Sequence, residues 1–206
     1  MTLHVIEHPI ASKILTDLRD ERTQSSRFRE LGKQLSYFLI IEATRSLRTK
    51  VKKIRTPLAD YDGIDIDQSI VVIPILRAGL SMLQPAVELL QDVSIGYIGM
   101  ERDETTAIAR TYYCKLPKIE DRFVIVIDPM LATGHSAELA LNAILEKDPA
   151  HVAMVSMLAS PEGVRYLENS FPEIPIFTAA IDERLDDHKF IFPGLGDFGD
   201  RAYDTK

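Results

Sequence analysis

The run Val124-Ile125-Val126-Ile127-Asp128-Pro129-Met130-Leu131-Ala132-Thr133-Gly134-His135-Ser136 passes from an apolar stretch through an acid and a short loop into the start of a helix. Four consecutive β-branched residues without polar alternation read as a strand covered on both faces. Thr-Gly-x-Ser then opens a helix, so the N–H groups of Ala132 to Ser136 and the helix dipole converge on one point, with the Thr133 and Ser136 hydroxyls beside them. That arrangement is an anion cradle at the carboxyl end of a strand, where open α/β sheets place ligands. Asp128 at the strand tip is suited to accept hydrogen bonds from sugar hydroxyls. The plainer alternative is a capped helix preceded by a turn aspartate.

Working outward, the pattern predicts strands over 69–76, 93–100, 123–128, 152–158 and 174–181, with helices over 79–90, 134–147 and from 161 onward. Apolar strands alternating with amphipathic helices imply an α/β fold built on a parallel sheet with helices on both faces. Ile10, Ile14, Leu15 and Leu18 mark a helix over 10–20. A longer helix with Ser25 or Ser26 as N-cap presents Phe28, Leu31, Leu35, Phe38 and Leu39 on one face. Residues 51–58, the turn Asp60-Tyr61-Asp62-Gly63 and a second stretch after it read as an extended arm or hairpin. No repeat or long linker divides the 206 residues, which are expected to form one domain: N-terminal helices and arm over about 1–68, a core over about 69–181 and a C-terminal segment over about 182–206.

With 24 Lys+Arg against 31 Asp+Glu the net charge is −7, which disfavours nucleic-acid and anionic-membrane binding but leaves room for a local phosphate site. No apolar run is long enough to span a bilayer, and the opening Met-Thr-Leu-His-Val-Ile-Glu-His-Pro has no secretory signature. A single cysteine, Cys114, forms no internal disulfide, and the histidines lack metal-ligand spacing. A cytoplasmic chain without a protein-held metal is expected.

The 124–136 stretch resembles the 5-phosphoribosyl diphosphate (PRPP) loop of type I phosphoribosyltransferases, and its Asp-Pro-Met-Leu-Ala-Thr-Gly form is similar to the uracil phosphoribosyltransferase family. Three more segments match in order. Val72-Ile73-Pro74-Ile75-Leu76-Arg77-Ala78-Gly79 looks like the diphosphate loop. Gly99-Met100-Glu101-Arg102-Asp103-Glu104 with Tyr113-Cys114-Lys115-Leu116-Pro117 looks like the flexible loop. Ile191-Phe192-Pro193-Gly194-Leu195-Gly196-Asp197-Phe198-Gly199-Asp200-Arg201 looks like the uracil-binding segment. Weaker matches at His8-Pro9, Arg27 to Leu31 and Glu42-Ala43-Thr44 extend the resemblance over nearly the whole chain.

The resemblance implies a type I phosphoribosyltransferase-like parallel sheet flanked by helices, with a β-arm and a small C-terminal hood. It implies pyrimidine salvage, uracil and PRPP giving UMP and diphosphate, with Mg²⁺ arriving on the PRPP diphosphate. PRPP contacts are carried to Arg77, Ala78, Gly79, Arg102, Asp128 and its following loop (Pro129, Met130, Leu131, Ala132, Thr133, Gly134, His135, Ser136) and Asp197. Uracil contacts are carried to Ile191, Gly196, Asp197 and Phe198. Catalytic roles fall to Asp128, Arg77, Arg102 and Asp197, and no residue stands out as a general base. A homodimer or higher homo-oligomer is implied by the arm, and a GTP effector by the behaviour of some family members.

Each segment also has its own physical reading. A guanidinium fork at Arg77 matches phosphate oxygens, and the family's non-proline cis peptide is expected at Arg77–Ala78; the alternative is a surface arginine. Arg102 lies among acids and reads either as a phosphate ligand or as a surface ion pair. Residues 103–117 read as a lid that excludes water from the transfer. Pro193-Gly194-Leu195-Gly196-Asp197 reads as close-approaching main chain able to match the acceptor–donor–acceptor edge of uracil, or as a plain turn. The basic run Arg45, Arg48, Lys50, Lys52, Lys53 and Arg55 reads as a solvated helix end and arm.

Two residues depart from the uracil-type pattern. His135 stands where glycine is usual, so its ring must point away from the phosphate or lend it charge. Phe198 stands where a small alanine is usual, and its ring is expected against the hood or the lid, outside the pocket. Both departures keep open an inactive paralogue serving as a subunit of another salvage enzyme; the runner-up reading is the same fold reused as a nucleotide-sensing RNA binder, against which net charge and the intact uracil segment speak.

Overall fold

The computed structural model describes residues 3–102 and 109–205. Strand β1 (Leu3–Val5) leads into helix α1 (Pro9–Arg19), where proline occupies the first turn and the Ile10 N–H donates to His8 Nδ1 at 3.2 Å. Helix α2 (Ser25–Ala43) begins one residue earlier than a serine cap requires. Its first helical carbonyl is that of Gln24, which accepts the Phe28 N–H at 2.8 Å, so Ser25 is already inside the helix. The arm is an antiparallel hairpin of β2 (Thr49–Arg55) and β3 (Asp60–Ile66) in its own two-stranded sheet. Thr56 Oγ1 closes the turn by accepting the Leu58 and Ala59 N–H groups.

The main sheet begins with β4 (Ile70–Leu76), followed by α3 (Leu80–Leu90). The strand expected over 93–100 breaks at Gly96 into β5 (Val93–Ile95) and β6 (Tyr97–Arg102). Strand β7 (Ala109–Lys115) corrects the expectation that 103–117 is all irregular lid: it pairs antiparallel with β6, and Gly99 leaves room for the Tyr112 ring, which a Cβ there would meet at 2.5 Å. Residues 103–108 of that expected lid lie outside the described residues. The chain continues through β8 (Phe123–Ile127), β9 (Met130–Leu131), α4 (His135–Leu145), β10 (His151–Ala159), α5 (Pro161–Ser170) and β11 (Ile176–Ile181). It ends in a small antiparallel pair, β12 (Arg184–Leu185) with β13 (Ile191–Phe192), and helix α6 (Phe198–Tyr203).

The sheet runs in the order β1-β11-β10-β8-β4-β6-β7, with β5 beside β4 and β9 beside β10. Its described pairings are parallel except β6 with β7. One face carries Ile70, Val72, Ile125, Ile127 and Val155 against α1, α2 and α3. The other carries Val71, Ile73, Val124, Val126 and Met154 against α4 and α5. Burial on both faces is the physical reason for the unbroken apolar runs in β4 and β8. No described helix is long and apolar enough to cross a membrane.

From β4 the chain crosses over α3 to one side of the sheet, and from β8 it crosses over α4 to the other. Neighbouring strands that send their connections opposite ways open a crevice at their carboxyl ends. The cis peptide lies there at Leu76–Arg77, one bond before the expected Arg77–Ala78, at the point where Leu76, paired with Gly99, ends the strand. Gly79 then packs between the strand ends, where a Cβ would lie 2.5 Å from the Ile127 carbonyl oxygen and 2.7 Å from that of Ile75. Gly79→Ala is expected to lower unfolding free energy by about 1–3 kcal/mol, the scale of overpacking. Urea unfolding checks this; unchanged stability would show that the two strand ends are free to move apart.

Candidate active site

A cleft of about 300 Å³ opens over the carboxyl ends of β4 and β8. From the first comes the turn Leu76-Arg77-Ala78, and from the second Asp128, then Met130 through Gly134. The floor of α4 adds Ser136 and Ala137, and the hood adds Ile191 with Gly196 through Gly199. The segments that sequence reasoning assigned separately to diphosphate, ribose phosphate and base are thus brought to one place.

The cradle is held from behind by β10. Ser160 Oγ donates to the Ala132 carbonyl at 2.6 Å, and the Ser160 N–H donates to the Leu131 carbonyl at 2.9 Å. Met130 and Leu131, expected as loop, form β9 by pairing with Leu158 and Ala159. Gly134 caps α4 at φ 88°, with no side chain taking the cap position. The first N–H groups of α4 have no partner within the helix, as at any helix start, and Thr133, Gly134 and Ser136 line the cleft beside them. Asp128 is half-buried; its N–H donates to the Val155 carbonyl at 3.1 Å, and its Oδ1 lies 3.5 Å from the Met130 nitrogen.

His135 does not line the cleft. Its ring centre lies 4.9 Å from that of Tyr166, and its Nδ1 is 3.0 Å from Thr133 Oγ1. Tyr166 in turn donates to Glu138 Oε2 at 2.6 Å, and that bond raises the phenol's pKa and keeps it a neutral donor. The side chain at 135 therefore points away, the first of the two outcomes considered for it. Pro129 and Gly79 lie behind the lining and shape it. Arg102 closes β6 by pairing with Ala109, and its side chain lies outside the described residues. Glu101 pairs with Arg110 at 2.7 Å.

Asp197 serves as N-cap of α6, its Oδ1 accepting the Asp200 N–H at 2.8 Å, while also lining the cleft. Phe198 corrects the expectation of a ring against hood or lid. It is 2% exposed and packs 4.9 Å from the Phe28 ring, inside the helix layer below the cleft. Helix α6 puts Phe198 and Ala202 on one buried face, and Gly32 of α2 vacates the space: a Cβ there would lie 3.4 Å from Phe198 Cζ. Tyr203 brings the hood to the diphosphate turn, its hydroxyl 3.4 Å from the Arg77 carbonyl oxygen. Burial raises the Tyr203 pKa, against the smaller opposing effect of Arg77 and Arg29.

Sequence reasoning missed Met100, Glu101, Lys189 and Phe190 in the lining. Lys189 sits at φ 66° in the turn that joins β12 to β13, and a lysine in an acidic loop gives no pattern that announces a cleft. Three members of the basic run pair across the hairpin: Lys50 with Asp67 at 3.0 Å, Lys52 with Asp65 at 3.0 Å and Arg55 with Asp60 at 2.9 Å. Surface pairs of this kind stabilise little.

A family model described as uracil phosphoribosyltransferase matches residues 5–205. The uracil phosphoribosyltransferase of Dictyoglomus thermophilum is 44% identical over 204 residues, covering 98% of this chain and 99% of its own. The solved structure of the AQ2163 protein from Aquifex aeolicus superposes with a TM-score of 0.95 at 36% identity, covering 100% of this chain and 99% of its own. A hypoxanthine-guanine phosphoribosyltransferase from Bacillus anthracis, at TM-score 0.52 and 15% identity over 77% of this chain and 80% of its own, is similar in fold.

The placement of Phe198 has a measurable consequence. Phe198→Ala is expected to cost roughly 3–5 kcal/mol of unfolding free energy, the range for a buried phenylalanine truncated in a core. Chemical denaturation followed by circular dichroism reads it. A loss below about 1 kcal/mol would put the ring outside the core.

Proposed function

The chain belongs to the uracil phosphoribosyltransferase family, and on that premise we propose how its residues divide the work of transfer from PRPP to uracil. The enzyme transfers the 5-phosphoribosyl group to uracil in pyrimidine salvage, giving UMP and diphosphate. One observation carries the assignment of residues: Arg77, Asp128, Ala132 to Gly134, Ser136 and Gly196 to Phe198 share a single cleft at the crevice between β4 and β8.

In this reading the 5′-phosphate sits on the N–H groups and hydroxyls from Ala132 to Ser136, where the dipole of α4 favours an anion. Asp128 accepts the ribose hydroxyls and faces the positive charge that develops on the sugar as the C1′–diphosphate bond breaks. Arg77, and Arg102 where the family pattern places it, take up charge on the leaving diphosphate. Ile191, Gly196, Asp197 and Phe198 offer the backbone and carboxylate edge that holds uracil with N1 toward C1′, so that the N1–C1′ bond forms as the C1′–diphosphate bond opens and the N1 proton passes to the departing diphosphate or to water.

Mg²⁺ fits as an ion delivered on the diphosphate. Among the described residues no three His, Cys, Asp or Glu side chains gather into a metal cage, while Glu101, Asp128 and Asp197 give the cleft hard oxygen donors. Bound there, the ion would neutralise diphosphate charge. The exposed apolar residues of the arm (Val51, Ile54, Leu58, Tyr61 and Ile64) support pairing with a second copy of the chain. A GTP effector and a cytoplasmic location rest on the family resemblance and composition. The chain would then divide into N-terminal helices and arm, a PRPP-binding core and a uracil-binding C-terminal segment.

The assignment is tested by UMP formation from labelled uracil, PRPP and Mg²⁺. Asp128→Asn should lower kcat/KM by about 1–3 kcal/mol of transition-state energy, the scale of a bond to a charged group. Arg77→Ala should raise the KM for PRPP, and Arg77→Lys should restore only part of it, because a point charge lacks the fork. Unchanged kinetics in a folded Asp128→Asn protein would reduce that aspartate to a turn residue.

A further inference from the structure

After Phe192 the chain leaves strand pairing, and the bonds described for residues 193–196 come largely from three charged side chains outside that stretch. Asp182 Oδ2 accepts the Gly194 N–H at 2.8 Å. Arg19 Nη1 donates to the Gly194 carbonyl at 2.7 Å and to Asp182 Oδ2 at 2.7 Å, while its Nη2 donates to Asp182 Oδ1 at 2.5 Å. Both polar groups of the Gly194 residue are therefore held by one ion pair. Arg201 Nη1 holds the next carbonyl, that of Leu195, at 2.8 Å and also reaches the Leu18 carbonyl at 2.6 Å.

The pair is anchored at both ends. Asp182 follows β11, and its N–H donates to the Ala159 carbonyl at 2.9 Å, which ties it to the end of β10. Arg19 is the last residue of α1, where a cation also suits the helix dipole. The Asp182 side chain is 6% exposed and that of Arg19 26%. An apolar pair of similar volume would fill the space but leave the Gly194 N–H and carbonyl without these partners, so what the ion pair adds is a grip on the loop backbone. Neither residue lines the cleft, whereas Gly196, two residues beyond Gly194, does.

We propose that Arg19 and Asp182 are positioning residues for the pyrimidine: by fixing both backbone groups of Gly194 they aim the Gly196–Phe198 main chain at the base. The inference rests on the reading of that segment as the uracil site. Main-chain recognition has no side-chain rotamer to absorb an error, so a displaced Gly194 shifts each base-reading group together. Loss of the pair weakens uracil binding and its preference over cytosine more than PRPP binding, because Asp197 is the one residue carried to PRPP that lies on the displaced segment, while the loops that hang from β4 and β8 stay in place.

Steady-state kinetics with both substrates varied test it, alongside thermal melting. Arg19→Met/Asp182→Leu removes the charges while keeping the space filled. Its uracil KM should rise about tenfold or more, since displacement on the order of 1 Å can cost a hundredfold, with PRPP KM within about twofold of the parent. Arg19→Lys, which keeps the charge but lacks the second nitrogen that meets Asp182 Oδ1, should raise uracil KM by about threefold. Gly196→Ala, whose φ of 80° opposes a side chain, reports directly on the segment. If it raises uracil KM while the folded Arg19 and Asp182 variants stay within about twofold, the positioning role fails and the uracil site stands. If none of the three moves uracil KM, the site reading itself fails, and equal rises in both KM values would reduce the pair to general support. Should the double variant not fold, Arg19→Lys decides by the same criterion.

Discussion

A Cβ at residue 79 would stand 2.5 Å from the Ile127 carbonyl, so the ends of β4 and β8 reach their observed closeness only because that residue has no side chain. The approach brings the Arg77 turn within the same cleft as the 128–136 loop. In the proposed division of the site, the two loops would hold the two charged ends of a phosphorylated sugar. The remaining architecture serves to keep those strand ends adjacent. Residues such as Val71 and Val124 bind the strands to one helix layer, and Val72 and Ile125 bind them to the other. Each fully buried side chain of this kind contributes about 1.5–3 kcal/mol relative to exposure.

The hood is held by different forces. Its strands β12 and β13 are two residues long, and the loop after them is fastened by guanidinium groups, with Phe198 supplying the apolar anchor. The sugar-phosphate loops thus depend on a large sheet, and the hood depends on a few directional bonds. A shift in hood geometry can occur without disturbing the sheet.

The sheet strands were legible because burial on both faces leaves a mark in single sequence: 123–127 and 70–76 carry no polar alternation. The cradle was legible because strand, acid, loop and Thr-Gly-x-Ser are contiguous, and the composite cleft was legible only through the resemblance of four separated motifs. What escaped has a common cause, dependence on partners far along the chain. Strand β1 exists through Ile176 to Thr178, and β7 through a glycine that clears space for Tyr112. Phe198 looked like a hood or lid residue because the residues it packs against, Phe28 and Gly32, lie more than a hundred and sixty positions away. Arg19 and Asp182, separated by 163 positions, carry no local pattern at all.

Strand β1 pairs Leu3 with Ile176 and Val5 with Thr178, and the carbonyl of Leu18 is met by Arg201. During synthesis, the first twenty residues therefore emerge long before their partners exist. Helix α1 carries Ala11, Ile14, Leu15 and Leu18 toward a core that the last third of the chain helps to complete. Until then its apolar stripe is open to solvent and to neighbouring nascent chains, the exposure that invites association during slow, non-local folding. The outer edge of the sheet closes late on the ribosome, and a terminal extension that interferes with residues 3–19 acts on assembly before it acts on catalysis.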